Sequence, residues 1–353
     1  MPIHSKSNET SVTLPMGLQF CILTILLAVG AVISTGMGYL NISWKEILRI
    51  VMAKFTGNDM LLSQMDPILT TVVVDVRLPR ILTSLAVGGG LAICGTVFQA
   101  ILLNPLADPY TLGVSAGAAF GAALAIILNM SFAGTYSTTL MAFVGAVTTL
   151  IIVIYLSANA GGLSSNNLIL SGIIVTAILS AGISFLKYLA DEQVGIIIFW
   201  LMGSFASRTW TDATLISVAV IIGLIIFLVF ARDLNLLSLG KRVASSLGVS
   251  TGKVTLIMLI VASLLAAACV SVSGIIGFVG LLVPHLMRGL TGPDNLRLLP
   301  VTFLAGAILL LIADTITRAI LPHEVPIGIL TALIGGPFFC YVFRQRQTRR
   351  REF

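Results

Sequence analysis

The sequence predicts an all-α, polytopic membrane protein with about ten transmembrane helices, an expectation carried by composition, by segment length and by where the apolar runs break. Hydrophobic residues make up 57% of the 353-residue chain, charged residues only 10%, and the mean hydropathy is +1.07, far from soluble globular domains. Apolar runs long enough to cross a hydrocarbon core of about 30 Å recur along the whole chain. Spans are expected at residues 16–38, 79–103, 110–130, 138–157, 166–188, 211–231, 253–272, 275–289, 299–320 and 326–343, within one membrane domain covering residues 1–353.

The first run follows a polar stretch with Lys6 as its clear cation. It exceeds a signal-peptide core and lacks a small-x-small cleavage site, so it stays a helix. Next, Ser43 followed by Glu46 has capping-box spacing, and Trp44, Ile47, Leu48, Val51 and Phe55 recur at helical spacing. This predicts a short helix on the membrane surface with Lys45, Arg49 and Lys54 toward water. The second span opens at Arg77 and Arg80, carries Gly88, Gly89, Gly90 and Gly95, and ends in an Asn-Pro-Leu-Ala-Asp-Pro turn. In lipid, such small residues let helix backbones approach closely.

A short helix over about 192–206 precedes Thr209 and Asp212, a second capping box that opens the sixth span. Residues 254–287 form one nearly unbroken apolar run, which as a single helix would rise about 50 Å and overshoot the bilayer. It must break, and Ser271, Ser273 and Gly274 mark the turn.

An even number of spans puts both termini on one side. With the N-terminus inside, twelve cations fall on the cytoplasmic side and eight outside, and the dense arginines of the last ten residues set topology rather than bind nucleic acid. The surface helix leaves Arg77, Arg80 and Arg318 on the disfavoured side unexplained; Asp75 is available to the first. Asp314 is the acid well inside a span, a place that raises proton coupling, and its i to i+4 spacing from Arg318 makes a helix-internal pair the simpler account. Four scattered cysteines and three distant histidines make no metal site, and no cofactor is expected. Neither Gly240-Lys241-Arg242 nor Gly252-Lys253-Val254 completes a P-loop, so the chain is not expected to hydrolyse ATP or act as an enzyme.

Several motifs occur together: R-x-P-R at 77–80, the glycine-rich middle, Gln99, the N-P-L-A-x-P turn and L-G-V-S-x-G-A at 112–118. With them stand FWLMGS at 199–204, residues 239–249, GFVGLLVPHLMR at 277–288, and 313–328 followed by Gly335, Gly336 and Pro337. In combination they resemble the iron-siderophore, haem and vitamin B12 importer permeases, membrane subunits of one class of bacterial ABC importers. The resemblance spans nearly the whole chain. It implies a type II ABC importer permease architecture in the cytoplasmic (inner) membrane, a homodimer, two copies of a separate cytoplasmic ATPase and one periplasmic or extracellular substrate-binding protein. The implied cargo is a metal chelate, a ferric siderophore first, with haem or cobalamin beside it. An ion-coupled secondary transporter is the alternative; it calls for buried acids at mid-membrane, where Asp314 alone qualifies.

Four groups of site residues follow. Within the cytoplasmic region 232–252, residues 238–247 can form a short helix with Leu239, Val243 and Leu247 on one side, stopped by Gly248. Periodicity alone leaves this an interfacial helix; the resemblance assigns Leu239, Val243, Ala244, Leu247 and Gly248 to ATPase coupling. In the fifth span Gly172, Thr176, Ser180 and Ser184 recur every four residues as a small, weakly polar stripe. Such a stripe packs against a helix or lines a passage, and the resemblance favours the translocation pathway. The resemblance also places a cytoplasmic gate at Asn104, Leu106, Ser164 and Ser165, which composition alone reads as an Asn-Pro turn and a serine-rich helix entry. It assigns Arg77, Arg80 and Arg318 to docking of the binding protein.

Overall fold

The computed structural model describes residues 15–38, 42–57, 65–160, 162–319 and 324–351. The helices are α1 (Met16–Gly36), α2 (Trp44–Thr56), α3 (Pro67–Ile101), α4 (Val114–Ile127), α5 (Ser137–Asn159), α6 (Ser165–Leu189) and α7 (Val194–Leu201). They continue as α8 (Trp210–Val229), α9 (Ala231–Ser238), α10 (Lys241–Ser246), α11 (Thr251–Ser273), α12 (Val279–Thr291), α13 (Asn295–Ala319) and α14 (Ile327–Arg351). Seven of them, α1, α3, α5, α6, α8, α11 and α13, are long and apolar enough to cross a membrane. The shorter α4 and α12, with the short apolar first part of α14 (Ile327–Tyr341), complete the ten expected positions.

Helix α3 is the axis of the bundle, packed against α8, α11, α12 and α13 and almost wholly buried. Lipid supplies no hydrophobic force to press helices together, so close packing must hold them. The glycines make that possible. A Cβ at Gly95 would lie 1.7 Å from the Gly280 carbonyl oxygen, and one at Gly88 would lie 2.4 Å from that of Gly306.

The start of α3 differs from expectation. The helix begins at Pro67, where the Asp66 carboxylate accepts the Ile68 amide at 2.8 Å, and not at residue 79. Pro79 is absorbed because Val72–Arg77 is π-helical, the Leu78 amide bonding to the Val73 carbonyl five residues back. In that register the next acceptor is the Val74 carbonyl, and Pro79 has no N–H to give it. Trp210 Nε1 supplies the missing donor at 3.0 Å from α8. The capping box of α2 forms through Ser43 and Glu46, but the expected apolar stripe divides: Ile47 and Ile50 pack on Val73 and Val74, while Leu48 and Met52 remain exposed.

The break after residue 273 falls where the sequence puts it, with Gly274 at φ 71°. Residues 274–278 are not helical, so α12 starts at Val279 rather than 275. Likewise the third span starts at Val114 and not 110, after a single 3-10 turn Pro109–Leu112. The two breaks meet: the Tyr110 hydroxyl donates to the Ile276 carbonyl, and Gly280 abuts Pro109. Irregular backbone at membrane depth must find its hydrogen bonds within the protein. Here Ser204 N–H donates to the Ser273 carbonyl at 2.8 Å, and Ile327 N–H to that of Gly203 at 3.0 Å. The helix expected over 192–206 is confined to Val194–Leu201, and the Thr209–Asp212 capping box is present. Cys94 and Cys269 are buried and Cys21 and Cys340 exposed, all as free thiols.

Candidate functional sites at the two ends of the bundle

At one end, the last turn of α1 leaves carbonyls without intrahelical donors, and its dipole favours cations there. Arg77 Nη1 donates to the carbonyls of Thr35 and Gly36 at 2.7 and 3.2 Å. Arg318 reaches the Met37 carbonyl at 2.7 Å, and the Ser34 carbonyl and hydroxyl at 2.5 and 2.6 Å. Asp314, with no accessible side chain, accepts from Arg80 Nε at 2.9 Å and from Arg318 Nε at 3.2 Å. Arg80 Nη2 also meets the partly exposed Glu324 at 2.5 Å. The i to i+4 pair suggested by spacing exists, but Arg80 on α3 shares it.

Arg77, Arg80 and Arg318, expected to dock the binding protein, are all engaged within the chain. Their guanidiniums are buried and turned inward, because an unpaired cation at this depth costs more than one held by Asp314 and the orphan carbonyls of α1. They join α1, α3 and α13.

At the other end the expected helix 238–247 is two helices. Gly240, at φ 105°, separates α9 from α10, so Leu239 caps the first and Val243 lies in the second. Leu239, Val243 and Leu247 are exposed as expected; Ala244 is fully buried and belongs to the core, which removes it from any contact surface. Gly248, at φ 89°, ends the element, and the following Val249 amide closes back on the Ala244 carbonyl at 3.0 Å.

Asn104, Ser164 and Ser165, expected as gate residues, sit beside this element. Asn104 Oδ1 accepts the Leu106 amide at 3.0 Å, which holds the turn after α3, and Ser164 caps α6 by accepting the Asn167 amide at 3.2 Å. Lys241 Nζ donates to the Leu163 carbonyl at 2.9 Å, tying α10 to the entry of α6. Two open clefts adjoin here, one lined by Asn104 and Arg288, the other by Ser164, Ser165 and Lys241. They share Leu103, Leu239 and Gly240. Residues predicted separately as gate and as coupling element are thus one neighbourhood. Sequence reasoning missed the Lys241 tie and the Arg288 Nη1 bond to Gln99 Oε1 at 3.0 Å. Gln99 and Arg288 do stand out as motif members, but nothing local pairs them.

The stripe on α6 divides. Gly172 is buried, its missing Cβ leaving room for the Thr111 carbonyl at 2.3 Å, and Thr176 is half-buried beside Gly113. Ser180 and Ser184 are exposed, Ser184 donating to the Ser180 carbonyl at 3.0 Å. The stripe therefore packs at one end and is open at the other.

A bundle of long apolar helices around a glycine-packed axis is the architecture of a multi-pass membrane protein. The model of the FecCD transport family matches residues 26–345, and the chain belongs to that family. It is 41% identical over 319 residues to the molybdate import system permease protein MolB of Haemophilus influenzae, covering 90% of this chain and 92% of that one. It is 38% identical to the hemin transport system permease protein HmuU of Yersinia pestis, covering 94% and 97%. To the cobalamin import system permease protein BtuC of Halobacterium salinarum it is 41% identical, covering 79% and 74%. A solved structure described as an inward-facing metal-chelate type ABC transporter superposes with a TM-score of 0.81 at 37% identity, over 93% of this chain and 99% of that one. The chain is thus the permease subunit of an ABC importer and not an enzyme; ATP hydrolysis belongs to a separate subunit. The family implies a dimeric arrangement with ATPase and substrate-binding partners.

Proposed function

We propose that two copies of this chain form the passage of an importer for a metal chelate, a ferric siderophore first, with haem and cobalamin beside it. Two ATPase subunits drive it from the cytoplasm and one binding protein delivers cargo from outside, both chain termini being cytoplasmic. The observation that carries this reading is the open half of the α6 stripe. Ser180 and Ser184 are exposed together with Ala177 and Ala181, and α6 has no charged residue before Lys187. A bulky complex needs a wall that binds it weakly everywhere, which small hydroxyl and methyl groups provide. Asp314 supports the same reading over ion coupling, since two guanidiniums hold it as a structural carboxylate. Leu239, Val243 and Leu247 face outward to meet the ATPase, and the bond from Lys241 to Leu163 passes their movement to the base of α6.

The test is ATP-dependent uptake into proteoliposomes holding the permease, its ATPase and its binding protein. Iron-55 bound to a siderophore, haemin, cyanocobalamin and molybdate are compared. Uptake of the iron complex above the others is expected; uptake of molybdate with none of the three chelates would overturn the cargo class.

A further inference from the structure

Both ends of the Asn235 carboxamide are committed to one distant point of the chain. Its Nδ2 donates to Asp294 Oδ1 at 2.7 Å, and its Oδ1 accepts the backbone amide and the Nδ2 of Asn295, each at 2.8 Å. Asn235 belongs to α9, and its partners stand at the start of α13, 59 and 60 residues further on. The first amides of a helix have no intrahelical acceptor. Asp294 covers one of them from its own side, accepting the Leu296 amide at 3.1 Å, whereas the Asn295 amide is covered by Asn235 from across the fold. Asn295 is buried, so withdrawal of α9 would take that acceptor from groups that water does not readily reach.

These bonds are not needed to hold α9 in place. Ala231, Leu234 and Leu237 already bury its apolar face in the core. Apolar contact is non-directional, however, and lets a helix slide, whereas hydrogen bonds of fixed geometry set its register on one neighbour. Asparagine suits the task because one planar group offers a donor to the carboxylate and an acceptor to the amide.

The position of the contact gives it a use. Leu239 and Gly240 alone separate α9 from α10, so the contact adjoins the side chains that face outward toward the ATPase. Helix α13 runs unbroken through 25 residues, roughly 37 Å, and at its far end Asp314 and Arg318 join it to α3 and α1. A rigid helix carries a displacement of its first turn to its last. We infer that Asn235 is a positioning residue for transport, locking α9 to the first turn of α13 so that the two move as one body and the nucleotide state of the ATPase reaches the far end of α13. The inference rests on the proposed contact of Leu239, Val243 and Leu247 with the ATPase. Lys241 then ties the coupling region to α6, and Asn235 ties it to α13.

The experiment uses the permease, its ATPase and its binding protein in proteoliposomes. Iron-55 bound to a siderophore, haemin, cyanocobalamin and molybdate are offered, and the probe that wild type imports is counted per ATP hydrolysed. Asn235→Asp keeps the side-chain size but sets two carboxylates against each other, and Asn235→Ala removes the three bonds without adding charge. Each should keep the ATPase on purification and lower the probe imported per ATP about tenfold. Combining Asn235→Asp with Asp294→Asn puts a donor opposite an acceptor again and leaves an equally good cap ahead of α13; coupling should return to within about twofold of wild type. A contact that only stabilises the fold lowers melting temperature and yield but leaves the probe imported per ATP unchanged, and that result overturns the inference. So does an exchanged pair no better coupled than Asn235→Asp. If the charged variant does not fold, Asn235→Ala decides alone, unchanged coupling again overturning the inference. Wild type that imports none of the four probes removes the proposed function, whereas a coupled wild type with equally coupled variants removes the role of Asn235 alone.

Discussion

Replacing Asp314 by Asn tests the buried ion network directly. The carboxylate has no exposed surface and faces guanidinium nitrogens at 2.8 and 3.2 Å, one from its own helix and one from α3. Breaking a buried pair by removing one partner costs about 3–5 kcal/mol, because the other charge stays buried. Arg80 keeps Glu324, and Arg318 keeps the carbonyls of Met37 and Ser34, so the lower end applies. A loss of about 3 kcal/mol is a shift of roughly 100-fold in the unfolding equilibrium. The measurement is a denaturant titration of the purified protein in mild detergent, run as a double-mutant cycle with Arg318→Met. The double variant removes one anion and one cation together, and should be less destabilised than the two single changes summed. An unchanged midpoint for Asp314→Asn, or strict additivity in the cycle, would refute the assignment of this carboxylate to holding α3 and α13 together.

Other outcomes follow from the same geometry. Arg80→Glu, which the sequence reads as a clean reversal of a docking charge, places a carboxylate against Asp314 and Glu324; it should lower folded yield and melting temperature before any partner is added, and a variant of normal stability contradicts the buried network. Gly95→Ala puts a methyl 1.7 Å from a backbone oxygen and should abolish folded protein, whereas Gly17→Ala, with open space around it, should leave the melting curve unchanged. Leu247→Glu changes an exposed side chain, so the ATPase should fail to co-purify while the permease melts normally; retained complex would remove Leu247 from the coupling surface. In a background without native cysteines, Ser180→Cys and Ser184→Cys should react with a water-soluble maleimide in the assembled transporter and Gly172→Cys should not, the reverse pattern placing the wall elsewhere.

Much of the fold was legible because its causes are local. Apolar length decides which segments enter lipid, since no exposed backbone polar group is tolerated there. That placed all ten spans, with ends within a helical turn or so except at the entry of α3, where the π register carries the helix through Pro79 back to Pro67, and at the end of α14, which runs on to Arg351. The Ser43–Glu46 and Thr209–Asp212 caps involve partners three residues apart, and a turn at Gly274 was forced by the excess length of one apolar run. The motif set also placed the family.

What tertiary structure alone decided is which polar groups meet and which faces are covered. Arg80 and Asp314 are 234 residues apart and find each other only because Gly88 and Gly306 let α3 and α13 touch along their backbones. Ala244 shares α10 with Val243 yet is buried, and Gly172 shares its stripe with Ser180 yet packs, because the neighbour on each side is set by distant chain. Lys241, Arg242 and Arg288 read as topology signals in sequence and line two adjoining clefts in space. The physical reason is the same throughout. The bilayer selects for apolar length, a property of one segment, whereas a buried charge or a close backbone contact is favourable only in pairs, and sequence does not name the partner.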